Sequence, residues 1–156
     1  MEIILTKANI KDAAIIHKMQ IVAFKSLLDK YHDYEISPGA EPIEKVEARL
    51  QQSFTDYYLI SLNGENVGAI RIVLLKEKGK CRISPIFILP EYQNKGIAQK
   101  VFSIIENMYQ PTCGWELDTI LEEKGNCYLY EKMGYKKTGK YEKINENMNI
   151  VFYEKN

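Results

Sequence analysis

The run Ile86-Phe87-Ile88-Leu89-Pro90, followed at once by Gln93-Asn94-Lys95-Gly96-Ile97-Ala98, constrains this chain more than any other stretch. β-Branched and aromatic residues that end at a proline predict a strand closing there. A short polar loop with one glycine comes next. Beyond it, apolar residues recur at helical spacing through Val101, Phe102, Ile104, Ile105 and Met108, which predicts a helix ending near Met108. The first N–H groups of such a helix have no intrahelical partner, and the helix dipole places partial positive charge on them. A strand, a glycine turn and an open helix start therefore suit an anion, most naturally a phosphate or pyrophosphate. Gly96 lets the backbone approach a bulky ligand, Ala98 keeps that approach open and Lys95 adds a cation. The plainer alternative is a tight connection in which Gly96 serves backbone geometry alone.

Around this segment the pattern predicts Ile3 to Leu5 as a strand. A helix follows from Asp12, with Ala13, Ile16, Met19, Ala23 and Leu27 along one face. Residues 31–40, rich in breakers and aromatics, read as a loop, and Pro42 opens a second helix carrying Ile43, Val46 and Leu50. Three strands follow, Tyr57 to Leu62, Val67 to Leu75 and Cys81 to Leu89, with Asn63-Gly64 as a hairpin turn. After the central helix come a strand over Trp115 to Ile120 and a short helix from about Asn126 to Met133, stopped by Gly134. Strands over Tyr135 to Tyr141 and Met148 to Tyr153 close the chain around a turn at 142–147. The order β-αα-βββ-α-β-α-ββ predicts an α+β domain, a three-layer mixed sheet flanked by helices.

At 156 residues the simplest organisation is one domain over 1–156, large enough to bury its own core. Lys and Arg together equal Asp and Glu at 21 each, so no net field draws the chain to nucleic acid or an anionic membrane. No apolar stretch approaches a membrane span. Cys81, Cys113 and Cys127 are widely spaced, with neither metal-ligand pairing nor a disulfide framework, so no metal is expected. Met1-Glu2-Ile3-Ile4-Leu5 breaks into polar residues at once and does not read as a signal peptide. A cytoplasmic protein with reduced thiols is the expectation.

Three motifs in order now carry a resemblance. Gln93-x-x-Gly96-x-Ala98 follows a strand and opens a helix. Leu117-Asp118-Thr119 lies in a later strand, and Leu129-Tyr130-Glu131-Lys132-Met133-Gly134-Tyr135 lies in a helix that stops at glycine. Together they resemble the GCN5-related N-acetyltransferases (GNAT), well over roughly residues 55–155 and only by element order before that. The resemblance implies a mostly antiparallel central sheet of GNAT type and acetyl-coenzyme A (acetyl-CoA) as cosubstrate. It implies that Gln93 shapes the loop while N–H groups of Asn94, Lys95, Gly96, Ile97, Ala98 and Gln99 hold the pyrophosphate. Lys95 itself either meets a phosphate or sits in solvent. Ile86, Phe87 and Ile88 would bind the pantetheine arm through main-chain groups, as an added strand does. A bulge near Pro85 would splay this strand from the next and open a slot for the thioester.

The resemblance also implies Tyr130 as the acid that protonates the departing thiolate, a task a neutral phenol suits. Against this stands a packing role, since the chain holds eleven tyrosines. The base is less defined: Asp118, with Glu116 two residues back on the same strand face, or a water chain; the alternative for Asp118 is an ordinary ion-paired carboxylate. Many family members carry an asparagine where this chain has Glu123. Asn126, three residues later, either takes over a coenzyme contact or caps the following helix.

The expected activity is transfer of an acetyl group to a primary amine of a small molecule or peptide, directly in a ternary complex. The rival reading is a non-catalytic acyl-CoA sensor. Tyr31, Tyr34, Tyr57 and Tyr58 supply aromatic surface for an acceptor or else pack helices on the sheet. His32 lies in the same loop, and His17 is expected on the first helix surface. Charge balance argues against a strongly charged acceptor. A monomer or a homodimer fits equally.

Overall fold

The structure is a computed structural model that describes residues 2–156. Its elements are β1 (Ile3–Lys7), α1 (Ala13–Tyr31), α2 (Ile43–Leu50), β2 (Thr55–Leu62), β3 (Glu65–Leu75), β4 (Lys80–Ile88), α3 (Ile97–Met108), β5 (Trp115–Ile120), α4 (Lys124–Lys132), β6 (Lys136–Asn145) and β7 (Met148–Lys155). The strands form one sheet in the order β1-β2-β3-β4-β5-β7-β6. Every neighbouring pair is antiparallel except β4 with β5. The element order and the mixed, mostly antiparallel sheet are those the sequence predicts.

Helices cover both faces, which makes three layers. Ala13, Ile16, Met19 and Ala23 of α1 and Val46 of α2 pack on Tyr57, Ala69 and Phe87. Ile97, Val101, Phe102 and Ile105 of α3 pack on the other face, together with Cys127 and Tyr130 of α4. Adjacent Tyr57 and Tyr58 go to opposite layers, as the two-residue period of a strand requires. Each fully buried Ile or Val of α3 contributes about 1.5–3 kcal/mol by leaving water, so this face anchors the helix whose start faces the loop. The Asn63-Gly64 hairpin forms as expected, with both residues at positive φ.

Most boundaries shift by a residue or two from the sequence reading, and three of the differences are informative. β2 begins at Thr55, and β6 continues to Asn145 through residues expected to turn. β6 is the outermost strand and exposed over most of its length, so no apolar alternation marks it. α4 begins at Lys124, because the Glu123 carbonyl already accepts from the N–H groups of Asn126 and Cys127. Asn126 is thus inside the helix and not its N-cap.

The central irregularity lies in β4. Ile72 pairs with Ile83 and Ile70 with Ile86, so β4 advances one residue more than β3 between the two pairs. The extra residue falls at Ser84-Pro85, joined by a cis peptide bond, and forms a bulge. On its other edge β4 pairs with β5 only at Cys81–Trp115 and Arg82–Glu116. Beyond Arg82 the two strands part, which is the splay the proline predicted.

Candidate active site

The parting of β4 and β5 opens two cavities that meet. The first, of about 590 Å³, runs along Ile86, Phe87 and Ile88 to the loop and the start of α3. Gln93, Asn94, Gly96, Ile97, Ala98 and Gln99 line its far end, while Phe24 and Leu27 of α1 form the opposite wall. Gln93 donates from Nε2 to the Ile88 carbonyl at 2.9 Å, tying the loop back to the strand. Asn94 and Gly96 both have positive φ, 61° and 80°. This turns the loop so that Gly96 becomes the residue before α3, and no side chain caps that helix. A Cβ built on Gly96 would meet nothing within 4 Å, so the space above it is open. Uncapped N–H groups, a left-handed glycine and a free strand edge fit a diphosphate with an extended arm. Lys95 does not line the cavity; its Nζ lies 5.8 Å from the centre of the Tyr92 ring.

The second cavity, of about 410 Å³, lies on the sheet face of β5, β7 and β6, walled by the loop after α1. Asp118 lines it beside Leu117, Thr119 and Ile120. Asn126 and Tyr130 line both cavities, as do Ile86, Phe24 and Leu27. Tyr130 stands where the two meet, held by an edge-on contact with Phe102 (5.8 Å between ring centres) and another with Tyr135 (6.4 Å). The hydroxyls of Tyr135 and Tyr153 are taken by Glu106 and Glu131. That of Tyr130 has no hydrogen-bond partner among the described residues. Burial, and then the charge of Asp118, push the Tyr130 phenol up to about 12, so it is protonated at neutral pH. Tyr128, two residues earlier, points out to solvent.

Asp118 is paired with Arg82, whose guanidinium also reaches Glu116 at 3.3 Å. Glu116 itself lines neither cavity. Cys127 is buried, with its thiol directed to the carbonyls of Ile120 and Leu121, and it too lines neither cavity. Among the described residues no group of acids, histidines and cysteines is arranged to hold a metal.

The aromatic candidates for acceptor surface turn out differently. Tyr31, Tyr57 and Tyr58 are buried, Tyr34 is exposed, and none of the four lines either cavity. Tyr31 instead bonds the carboxylate of Glu123, which Lys30 also reaches at 2.8 Å. Glu123 thereby clasps the end of α1. His17 donates from Nε2 to the Glu41 carbonyl oxygen at 2.8 Å, and His32 caps α1 at positive φ on the surface. Glu41 is gripped from the other side by both arms of Arg49 at 2.7 and 2.6 Å, and by the Gln20 amide at 2.8 Å.

A model of the acetyltransferase (GNAT) domain matches residues 28–156. The chain belongs to the GNAT acetyltransferase family. Solved structures agree on the fold of this GNAT protein at low sequence identity. It is similar to the PaiA N-acetyltransferase of Thermoplasma acidophilum in complex with coenzyme A, at TM-score 0.77 and 14% identity over 99% of each chain. The ribosomal-protein-S18-alanine N-acetyltransferase of Escherichia coli gives 0.78 at 10% identity, over 99% of this chain and 93% of that one. The spermidine N-acetyltransferase of Vibrio cholerae in complex with CoA and spermine gives 0.76 at 16%, over 97% and 94%. No curated protein sequence matches the chain. No described helix of this GNAT protein is long and apolar enough to cross a membrane.

Two features of the GNAT protein's site lay outside the sequence reading. Phe24, which lines both cavities, carries no signal of its own, because it sits beside and not on the apolar stripe of α1. The clasp of Glu123 by Tyr31 joins residues 92 apart in the chain, and no local pattern signals a contact of that kind.

Proposed function

We propose that this single-domain protein is an acetyl-CoA-dependent N-acetyltransferase that acts on a primary amine of a small molecule or peptide. The observation that carries this reading is the meeting of two cavities at one unpaired, protonated tyrosine. The cavity that ends at the start of α3 suits acetyl-CoA. The N–H groups from Asn94 to Gln99 receive the pyrophosphate, Gln93 braces the loop, and Lys95 swings from Tyr92 toward a phosphate. The free edge of Ile86–Ile88 takes the pantetheine arm as an added strand, and Asn126 lines its far side.

The acceptor amine enters from the second cavity. Asp118, directly or through a water, takes the proton that the ammonium must lose. The amine nitrogen then bonds to the thioester carbonyl carbon, the carbon–sulfur bond breaks, and Tyr130 delivers its proton to the sulfur; the second proton shed by the nitrogen restores the phenol, and Asp118 releases the first to solvent. No covalent enzyme intermediate is required, and buried Cys127 has no part in the step.

Thiol release from acetyl-CoA across a panel of amines, run beside calorimetric titration with CoA, tests this reading. Binding together with amine-dependent release supports it. Binding with no release on any amine would leave an acyl-CoA sensor, and no binding at all would end both readings.

A further inference from the structure

The proposed acceptor cavity has a charged far end that the transfer chemistry does not use. Four carboxylates line the cavity as a whole, from Asp33, Glu41, Asp118 and Glu142, against one cation, Arg49, and of the four only Asp118 serves the transfer step. Arg49 is consumed by Glu41, and Asp118 is paired with Arg82. Asp33 and Glu142 have neither an ion pair nor a side-chain hydrogen bond among the described residues. One carboxylate oxygen of Asp33 is also fully buried without a partner, and burying such a group costs free energy unless a ligand compensates.

The strand register places these charges. Asp118 pairs with Phe152, Ile120 with Ile150, and Ile150 with Glu142 on the next strand. Glu142 therefore lies two residues along and two strands across from Asp118, about 12 Å between Cα atoms. The sheet face between them is apolar, formed by Ile120, Ile150 and Phe152. Asp33 faces this floor from the loop after α1.

Resting on the transferase reading, we propose that the acceptor is a flexible aliphatic amine with a second ammonium group, a diamine or polyamine. One nitrogen meets Tyr130 and Asp118, the carbon chain crosses the apolar floor, and the other ammonium is held by Glu142 and Asp33. The charge balance of the whole chain suggested the reverse, but a substrate meets the wall of its cavity and not the average of the molecule.

The test separates this proposal from the reading beneath it. Diaminooctane and octylamine differ only in the distal ammonium, and each is titrated into protein saturated with CoA, which needs no turnover. The diamine is expected to bind about tenfold more tightly, as one charged hydrogen bond supplies. Glu142→Gln and Asp33→Asn should each erase most of that margin without changing the affinity for CoA. Glu142 is exposed, so its variant folds. Equal affinities, or a margin that survives both substitutions, would overturn the proposal. With acetyl-CoA in place of CoA, thiol release reads the transferase activity separately: a diamine that binds with preference yet releases no thiol would refute only the latter.

Discussion

The guanidinium of Arg71 on β3 donates from Nη1 to the Ser84 carbonyl at 2.7 Å, at the place where β3 and β4 fall out of register. The bulge removes that carbonyl from the ladder, and the arginine takes the place of the lost strand partner. Arg71 has no carboxylate partner among the described residues; its other arm reaches Gln52 Oε1 at 2.8 Å. Burial pulls its pKa down to about 10, which still leaves it charged at neutral pH. A side chain that neutralises no acid but holds an irregular strand belongs to the opening beside that strand. Arg71→Met should therefore cost about 1–3 kcal/mol of stability, the value of an orphaned buried carbonyl, and also raise the KM for acetyl-CoA. Thermal melts and steady-state kinetics check both. A lower Tm at constant KM would confine Arg71 to the scaffold.

Replacing Tyr130 with Phe keeps the aromatic packing and removes only the unpaired hydroxyl. Turnover should fall about 10²–10⁴-fold, the range for losing a general acid, while the affinity for CoA holds. Because burial and Asp118 raise this phenol to about 12, the wild-type rate should show no loss from tyrosine ionisation up to about pH 10. A rate profile recorded from neutral to alkaline pH reads this directly. An alkaline limb centred near the ordinary tyrosine value would argue against the assignment.

Gly96→Ala separates the demands of the fold from those of the ligand. The added methyl meets no atom, so its folding cost is only that of a left-handed alanine, about 1–2 kcal/mol. It projects into the open space above the loop, the position proposed for the diphosphate. Calorimetry should show CoA affinity reduced by more than that strain accounts for, at least about tenfold. If Tm and affinity fell in proportion, the glycine would serve the turn alone.

The Glu41 clasp should give a pH-dependent share of stability. Burial alone would push this carboxyl up, but Arg49 and Gln20 outweigh it and the net shift is downward. A group whose pKa is lowered by folding stabilises the protein above its ordinary value of 4.5 and loses that contribution as pH falls through the folded value. Glu41→Gln should thus melt below the wild type at pH 7, and the gap should close below about pH 4.5. A gap that stays constant into acid would place the effect elsewhere, for example in packing around Gln20.

The parts of this molecule legible in sequence are those written in local pattern. Strand, loop and helix around Gly96 declare themselves through β-branching, one glycine and helical spacing, and all three sit where expected. The proline in Ser84-Pro85 signalled the bulge and the splay that makes the slot. The alternatives for Tyr130 could be weighed only in three dimensions, because its neighbours Tyr135 and Tyr153 are buried too and differ by having Glu106 and Glu131 to bond. The acceptor side was least legible. Its wall combines Asp118 and Glu142, brought together by β7 pairing with both β5 and β6, with Asp33 from the loop after α1, and no spacing along the chain encodes that adjacency. Tyr31, Tyr34, Tyr57 and Tyr58 fit either an acceptor surface or a packing role by sequence, and three of them are buried in the core.

Lys136, Lys137, Lys140 and Lys143 follow one another along β6, the strand with which the sheet ends. Any further chain extending the ladder from that border would have to strip solvent from a row of ammonium groups. At the opposite border β1 offers only five residues. Runaway stacking of this sheet into fibrils is thus discouraged at both margins, so the enzyme can hold a wide, gaping seam in its middle without its rim becoming adhesive.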